Sequence, residues 1–203
     1  MTPTCQTPSA QAEGDVVPVT LMVENAGISL DRVADLSDID RAAIRALSLA
    51  VYPPEVAAAW PGRHLEWARG EWCVRVWGPE GSLASYTGII LRQSSWDGRS
   101  ARVGGIGGVM THPAARGRGH AVHGIRRAIE VFREHGGVAF ALLVCEPGLL
   151  GYYARLGWKE FAGRLVVRQH GEPADFTFNR VMVHDVEAAG PTSGTIDLMG
   201  PPW

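Results

Sequence analysis

Between Pro113 and Val122 the chain reads PAARGRGHAV, which puts Arg116, Gly117, Arg118 and Gly119 directly before a segment whose apolar residues fall into helical spacing. Residues of those types in that place can bind an anion. The first turn of a helix leaves N–H groups without intrahelical partners, and the helix dipole adds partial positive charge there. Glycines at 117 and 119, with small Ala121, let a bulky anion approach the main chain, and Arg116 or Arg118 adds charge. A pyrophosphate fits that description. An ordinary solvated loop has the same composition, and the loop alone does not decide between the two. Neither the three-glycine fingerprint of a dinucleotide turn nor the Gly-Lys-Ser/Thr ending of a Walker loop is present.

Other residues offer chemistry of their own. Cys145 lies in the apolar run VAFALLVCE and is either an inert packing thiol or an acyl-cysteine nucleophile; buried strand cysteines are usually the former. His112 and His120 flank the loop and are read as solvated residues, with phosphate contact or proton transfer as the alternative. No His/Cys/Asp/Glu group has metal-ligand spacing, so no metal is expected. The three cysteines, Cys5, Cys73 and Cys145, are far apart, which suits a reducing compartment better than a disulfide framework.

The elements that must position these residues follow from pattern. The chain has 203 residues, 46% of them hydrophobic and 20% charged, which is a soluble globular composition and enough for one full core. A net charge of −2 gives no global basic field, so neither nucleic acid nor an anionic membrane is an expected partner. With no secretory signal and no membrane-length apolar stretch, a cytoplasmic location is expected.

Residues 1–15 read as a disordered tail and 16–203 as one mixed α/β domain. VPVTLMVE, Val17 to Glu24, has strand composition. A helix is expected from Ser37 as N-cap with Asp40 as its reciprocal partner, its inner face carrying Ile39, Ala43, Leu47 and Val51, and Pro53-Pro54 ending it. An irregular or short helical segment leads to Gly70. Three strands, EWCVRVWG, SLASYTGIILRQ and SARVGGIGGVMT, then read as an antiparallel meander joined by PEG and SSWDGR. After the loop, Ala121, Val122, Ile125, Ala128, Ile129 and Phe132 predict an amphipathic helix closed by Gly136-Gly137. VAFALLVCE predicts a strand buried on both faces and GLLGYYARLG a short helix. WKEFAGRLVVRQH and FTFNRVMVHDV predict two strands paired with each other.

Two motifs now carry a resemblance. Arg116-x-x-Gly119-x-Ala121 matches the R/Q-x-x-G-x-G/A acetyl-CoA signature of the GNAT family of N-acetyltransferases. YYARLGW, Tyr152 to Trp158, resembles the family's aromatic-Tyr-x-x-x-Gly-aromatic landmark, one helix and one strand later. The resemblance runs from Ser82 to about Phe161, and the helix from Ser37 fits it more loosely. It implies a GNAT fold, α/β in the α+β sense: a mixed, mostly antiparallel sheet with a splayed central strand pair and flanking helices. It also implies acetyl-CoA in the cleft. Main-chain groups of Val109, Met110 and Thr111 would pair with the pantetheine arm, and those of Arg116, Gly117, Arg118, Gly119, His120 and Ala121 would hold the pyrophosphate. The N–H of Val109 would stabilise the oxyanion formed as an amine attacks the thioester. By the same resemblance Tyr153 protonates the departing thiolate and Tyr152 packs. Gly107 stands where several relatives carry a glutamate base, so Glu146 is the first substitute, followed by Glu55 or Glu71, with a water chain as an equal competitor.

The chain's last stretch, ending GTIDLMGPPW, resembles the C-terminal layout of aminoglycoside 2'-N-acetyltransferases, where a terminal tryptophan and its carboxylate line the pocket for a cationic sugar. That implies a small-molecule amine as acceptor, an aminoglycoside antibiotic, with Trp203, Asp175 and Glu55 facing it and drug resistance as the role. Gly107 and Pro201 replace two acidic residues of those relatives, which points to a less cationic acceptor of the kasugamycin type or to another amine. Alternatives are a C-terminal run that simply packs on the sheet, a housekeeping acetyltransferase acting on a small amine or peptide N-terminus, a longer acyl donor, and a non-catalytic CoA sensor. Trp60, Trp67, Trp72, Trp77 and Trp96 offer aromatic surface for a homodimer, as in many relatives.

Overall fold

The computed structural model describes residues 21–23 and 26–203. The expected N-terminal tail, Cys5 and most of the strand expected over Val17 to Glu24 lie outside them. β1 (Leu21–Val23) pairs antiparallel with β2 (Ala26–Arg32), a strand that the mixed composition AGISLDR conceals.

α1 (Asp38–Val51) opens on the expected capping box, in which Ser37 Oγ accepts from the Asp40 N–H and the Asp40 carboxylate accepts from the Ser37 N–H, both at 3.2 Å. Asp40 also binds Arg75, whose guanidinium holds Asp31 at 2.9 Å, so the helix start is tied to the sheet. The inner face differs from expectation at one end. Leu47 is buried among Leu83 and Met110, but Ile39 is 82% exposed, because α1 meets the sheet only beyond its first turn. Pro54 both ends α1 and starts α2 (Pro54–Ala59).

β3 (Trp72–Trp77), β4 (Leu83–Trp96) and β5 (Arg99–Thr111) form the expected antiparallel meander. The β4–β5 hairpin is tighter than the SSWDGR loop expected: pairing reaches Trp96 and Arg99, and Asp97 and Gly98 (φ 48° and 75°) form a two-residue left-handed turn. α3 (His120–His135) crosses one face, burying Ile125, Ala128, Ile129 and Phe132 as its periodicity requires. β6 (Phe140–Cys145) follows, nearly all buried and parallel to β5, and then α4 (Leu150–Ala154).

The C-terminal third departs from expectation. It holds β7 (Lys159–Glu160), β8 (Arg164–Gln169), β9 (Glu172–Asp175), β10 (Arg180–Asp185) and β11 (Thr195–Asp197). The two strands expected to pair with each other do so only over β7 and β10. β10 lies mainly along β6, whereas β8 pairs with β9 and runs parallel to β11. The cause is a break at Ala162-Gly163, where a side chain on Gly163 would run into the main chain of Gly194, and a tight turn at His170 and Gly171 (φ 53° and 84°).

The main path of the sheet is β1-β2-β3-β4-β5-β6-β10-β7, with β11 bridging β4 and β8. Its two faces hold separate cores. Ile89, Ile106, Phe132, Leu143 and Met182 pack under α3, while Ile90, Val103, Leu142, Val183, Ile196 and Trp203 pack on the other side. Each such fully buried side chain contributes about 1.5–3 kcal/mol. Trp60 and Trp67 pack with Phe178, Trp72 meets His135, and Arg75 lies over Trp77. The aromatic surface behind the homodimer expectation is therefore largely used within the chain.

Candidate active site

β5 and β6 are paired only from Val103 opposite Phe140 to Gly105 opposite Leu142. Beyond that point the two strands part, and the β6 side of β5 has no strand partner. Main-chain polar groups on such an open edge need partners from elsewhere. The bend is encoded in β5. Tyr86 faces Met110 but Gly88 faces Gly107, so Gly108 and Val109 together oppose Thr87 in a β-bulge. Gly108 sits at φ 59°, in the left-handed region that favours glycine. Val109, Met110 and Thr111 therefore lie along the open edge, as expected for groups that pair with an extended ligand.

At the far end of that edge, Gly117 (φ 77°) and Gly119 (φ 81°) carry the chain into α3, whose first turn has no side-chain cap. Among the described residues no hydrogen bond uses the N–H of Gly117, Arg118 or Gly119. The loop thus presents free donors and positive dipole to an anion. The flanking histidines differ from the solvated reading. His112 Nδ1 accepts from the Ala114 N–H at 3.3 Å and shapes the turn. His120 is 8% exposed with no partner for its Nδ1, and burial, then His123 and Arg118, lower its pKa, so its ring stays neutral at neutral pH.

Tyr153, on α4, is buried, and its hydroxyl has no hydrogen-bond partner among the described residues. Burial, helped by Cys145, Tyr152 and Tyr52, raises its pKa well above the ordinary phenol value, which keeps the proton in place at neutral pH. Tyr152 packs edge-on against it at 5.1 Å. Burial likewise pushes the Cys145 thiol up to about 11, so it is protonated and the packing reading holds. Glu146 is exposed at the end of β6. At the end of α1, the pKa of the Tyr52 phenol is raised by burial first and then by Glu146, with Arg116 opposing.

On the face opposite α3, a cavity of about 280 Å³ opens beside the bulge. Its floor is Gly88, Ile90, Gly107 and Gly108, and its walls are Val33, Tyr86 and the strap Ala68 to Gly70.

A family model described as an acetyltransferase (GNAT) domain matches residues 35–161. The chain belongs to the GNAT acetyltransferase family. Glucosamine 6-phosphate N-acetyltransferase 1 of Oryza sativa subsp. japonica is 33% identical over 135 residues, 64% of this chain and 80% of that protein. A GNAT family N-acetyltransferase from Escherichia coli, solved in complex with CoA, superposes with a TM-score of 0.57 at 19% identity, covering 91% of this chain and 93% of that one. An acyl-CoA N-acyltransferase from Pseudomonas aeruginosa gives 0.54 at 20% identity, over 77% and 97% of the two chains. At those identities the solved structures show a shared fold, the splayed sheet with flanking helices. As a GNAT member this protein is an N-acetyltransferase, and acetyl-CoA is its co-substrate.

The residues assigned to acetyl-CoA come together along one GNAT cleft, but those assigned to the acceptor do not. Asp175, at the end of β9, is bound by Arg164 at 2.7 Å, and through Val166 and Asp197 it lines up with Ser95 near the far hairpin. Glu55 is exposed in the first turn of α2 and makes no hydrogen bond or ion pair among the described residues. Trp203 is 4% exposed. Its ring covers Gly105 in the fork, Nε1 donates to the Leu142 carbonyl at 2.9 Å, and Arg92 lies 5.0 Å from the ring. A side-chain Cβ at Gly107 would come within 3.1 Å of the main chain and Cβ of Trp203, so a larger residue at 107 would crowd the C-terminal tryptophan. The cavity walls at Val33, Arg69 and Tyr86 escaped sequence reasoning; the run GGIGG over 104–108, unusual in a buried strand, was the available signal.

Proposed function

We propose that this protein transfers the acetyl group of acetyl-CoA to the primary amine of a small molecule by direct attack of the amine on the thioester. The open fork between β5 and β6, with Tyr153 beside it and the uncapped start of α3 at its end, carries this reading. Val109 to Thr111 are assigned to the pantetheine arm and the amides from Arg116 to Ala121 to the pyrophosphate. The new N–C bond forms as the C–S bond breaks. The amine loses a proton to Glu146 or to water, Tyr153 gives its proton to the thiolate, and the Val109 N–H faces the oxyanion.

An amino sugar is the acceptor class suggested by the name of the rice relative. The aminoglycoside version has less support, because its acidic residues do not gather in one pocket: Asp175 is held by Arg164, and Glu55 is solvent-exposed. The test is CoA-thiol release by purified protein with glucosamine 6-phosphate, aminoglycosides including kasugamycin, polyamines, amino acids and short peptides. Turnover on any small amine, with acetyl-CoA bound, supports the reading. Failure to bind acetyl-CoA overturns it.

A further inference from the structure

The cavity beside the bulge is built rather than incidental. Three main-chain hydrogen bonds fix its wall: Ala68 N–H to the Pro202 carbonyl at 2.7 Å, Glu71 N–H to Ile89 at 2.9 Å, and Val33 N–H to Glu71 at 2.9 Å. Arg69 and Gly70 are held between those ties. The floor is bare because Gly88 and Gly107 face each other across β4 and β5, and a side chain on Gly88 would meet the Gly107 carbonyl oxygen at 2.8 Å. That floor adjoins Gly108 and Val109, the bulge at the open edge of β5. An acceptor lying on it would reach the fork without passing through α3.

Charge distinguishes what the cavity can hold. Arg69 is the charged residue in its wall, and the C-terminal carboxyl carbon of Trp203 stands 3.1 Å from where a Cβ on Gly107 would begin, beside the floor. Among the described residues Arg69 has no ion-pair partner. Of the acidic residues close by in the chain, Glu66 is engaged by His170, through ring Nδ1 at 3.1 Å and main-chain N–H at 2.7 Å, and Glu71 lies within electrostatic range of Arg92. Tyr86 adds a neutral hydroxyl, since burial pushes its pKa up to about 12. Arg69 and the Tyr86 hydroxyl are donors that suit an anion, and the Trp203 carboxylate beside the floor suits the ammonium of the same molecule, whereas a polycation would also meet a like charge at Arg69. The size of the cavity suits a compact molecule, being just below the range of about 300–1,000 Å³ usual for ligand pockets.

We propose that this cavity is the acceptor site and that Arg69 selects a compact amine that also carries a phosphate or carboxylate. The inference rests on the acetyltransferase reading above and adds the acceptor's charge. Amines matched except for charge test it: glucosamine 6-phosphate against glucosamine, and an α-amino acid against its amide, in CoA-thiol release. The anionic member of at least one pair should be preferred by about tenfold or more in kcat/KM, the usual scale for a hydrogen-bonded charge. Which pair shows the preference tells phosphate from carboxylate. Arg69→Gln should abolish it by raising KM for the anion with kcat and acetyl-CoA affinity kept, and Arg69→Lys should restore part of it. Preference for the neutral amine or for a polycation, or a ratio unchanged in Arg69→Gln, overturns the proposal while leaving the acetyltransferase reading intact. If no pair turns over, binding of glucosamine 6-phosphate and of the amino acid to the CoA-bound protein decides: binding weakened by Arg69→Gln supports the assignment, and no binding of either overturns it. Loss of acetyl-CoA binding by the wild-type protein would instead remove the reading beneath it.

Discussion

Tyr153 is the residue whose surroundings most closely match the task proposed for it, proton donor to the departing thiolate. Its ring is buried, its hydroxyl has no partner within the described chain, and burial of the residue keeps the proton in place at neutral pH. A general acid of that kind is worth about 10²–10⁴ in rate. Tyr153→Phe should lower kcat by about a hundredfold while leaving the acetyl-CoA Kd within about twofold, measured by thiol release and by titration calorimetry. In the wild-type protein, any loss of rate caused by ionising this group should begin above the ordinary tyrosine value of 10.0, because burial raises its pKa. Gly105 and Gly107 make a second prediction. A Cβ on Gly105 would intrude into the Trp203 ring, and one on Gly107 would press on Trp203 at 3.1 Å. Gly105→Ala should cost about 1–3 kcal/mol by overpacking, seen as a lower Tm. Gly107→Glu should also lower Tm and should not raise kcat, since its Cβ already presses on the main chain and Cβ of Trp203.

The loop before α3 is where sequence and function meet at the level of an element. Gly117 has nothing within 4 Å of where a side chain would begin, so its need for glycine is conformational, φ 77°, rather than steric. Gly117→Ala should therefore cost about 1 kcal/mol of left-handed strain. If the loop relaxes to relieve it, acetyl-CoA Kd rises by about fivefold or more with little change in Tm, and a drop in Tm with unchanged Kd would show that the loop does not hold the ligand. Such elements were legible because their signals are local. Ser37 and Asp40 announce a helix start within four residues, the stripe from Ile125 to Phe132 gives a period, and Arg116 to Ala121 marks the turn. Strand partnership is not local. Nothing in WKEFAGRLVVRQH tells that Gly163 breaks it or that β8 will lie beside β11, because the Gly194 main chain that fills the space arrives 31 residues later. The cavity beside the bulge was illegible for the same reason, as Val33, Arg69, Tyr86 and Gly107 meet only once the sheet is assembled. Asp175 shows the converse: a carboxylate plausible by analogy is tied to Arg164 by a hairpin the pattern did not reveal.

At the scale of the molecule, the buried thiols and phenols among the described residues share one direction of shift, and this fixes how stability must depend on pH. Burial raises the Cys73 thiol from 9.0 to about 12, aided by Asp31 and Asp40 and opposed by Arg75. It raises Tyr86 from 10.0 to about 12, and Tyr153 moves the same way. In the unfolded chain these groups regain ordinary values, so they lose protons there first. A group whose folded pKa is raised stabilises the fold fully below its unfolded pKa, and that contribution drains away as pH climbs toward the folded value. The window here opens near 9 with Cys73 and widens near 10 as the tyrosines join. Urea midpoints should therefore be level from about pH 7 to about pH 9 and fall steeply by about pH 11. Cys73 is fully buried, so Cys73→Ala should lower the midpoint at neutral pH by leaving a cavity. The same variant should also show a shallower alkaline fall, because one raised group is gone. A wild-type midpoint that holds steady to about pH 11 would mean that water reaches these groups in the folded protein. The packing described on both faces of the sheet would then be looser than the burial of Cys73 and Tyr153 requires.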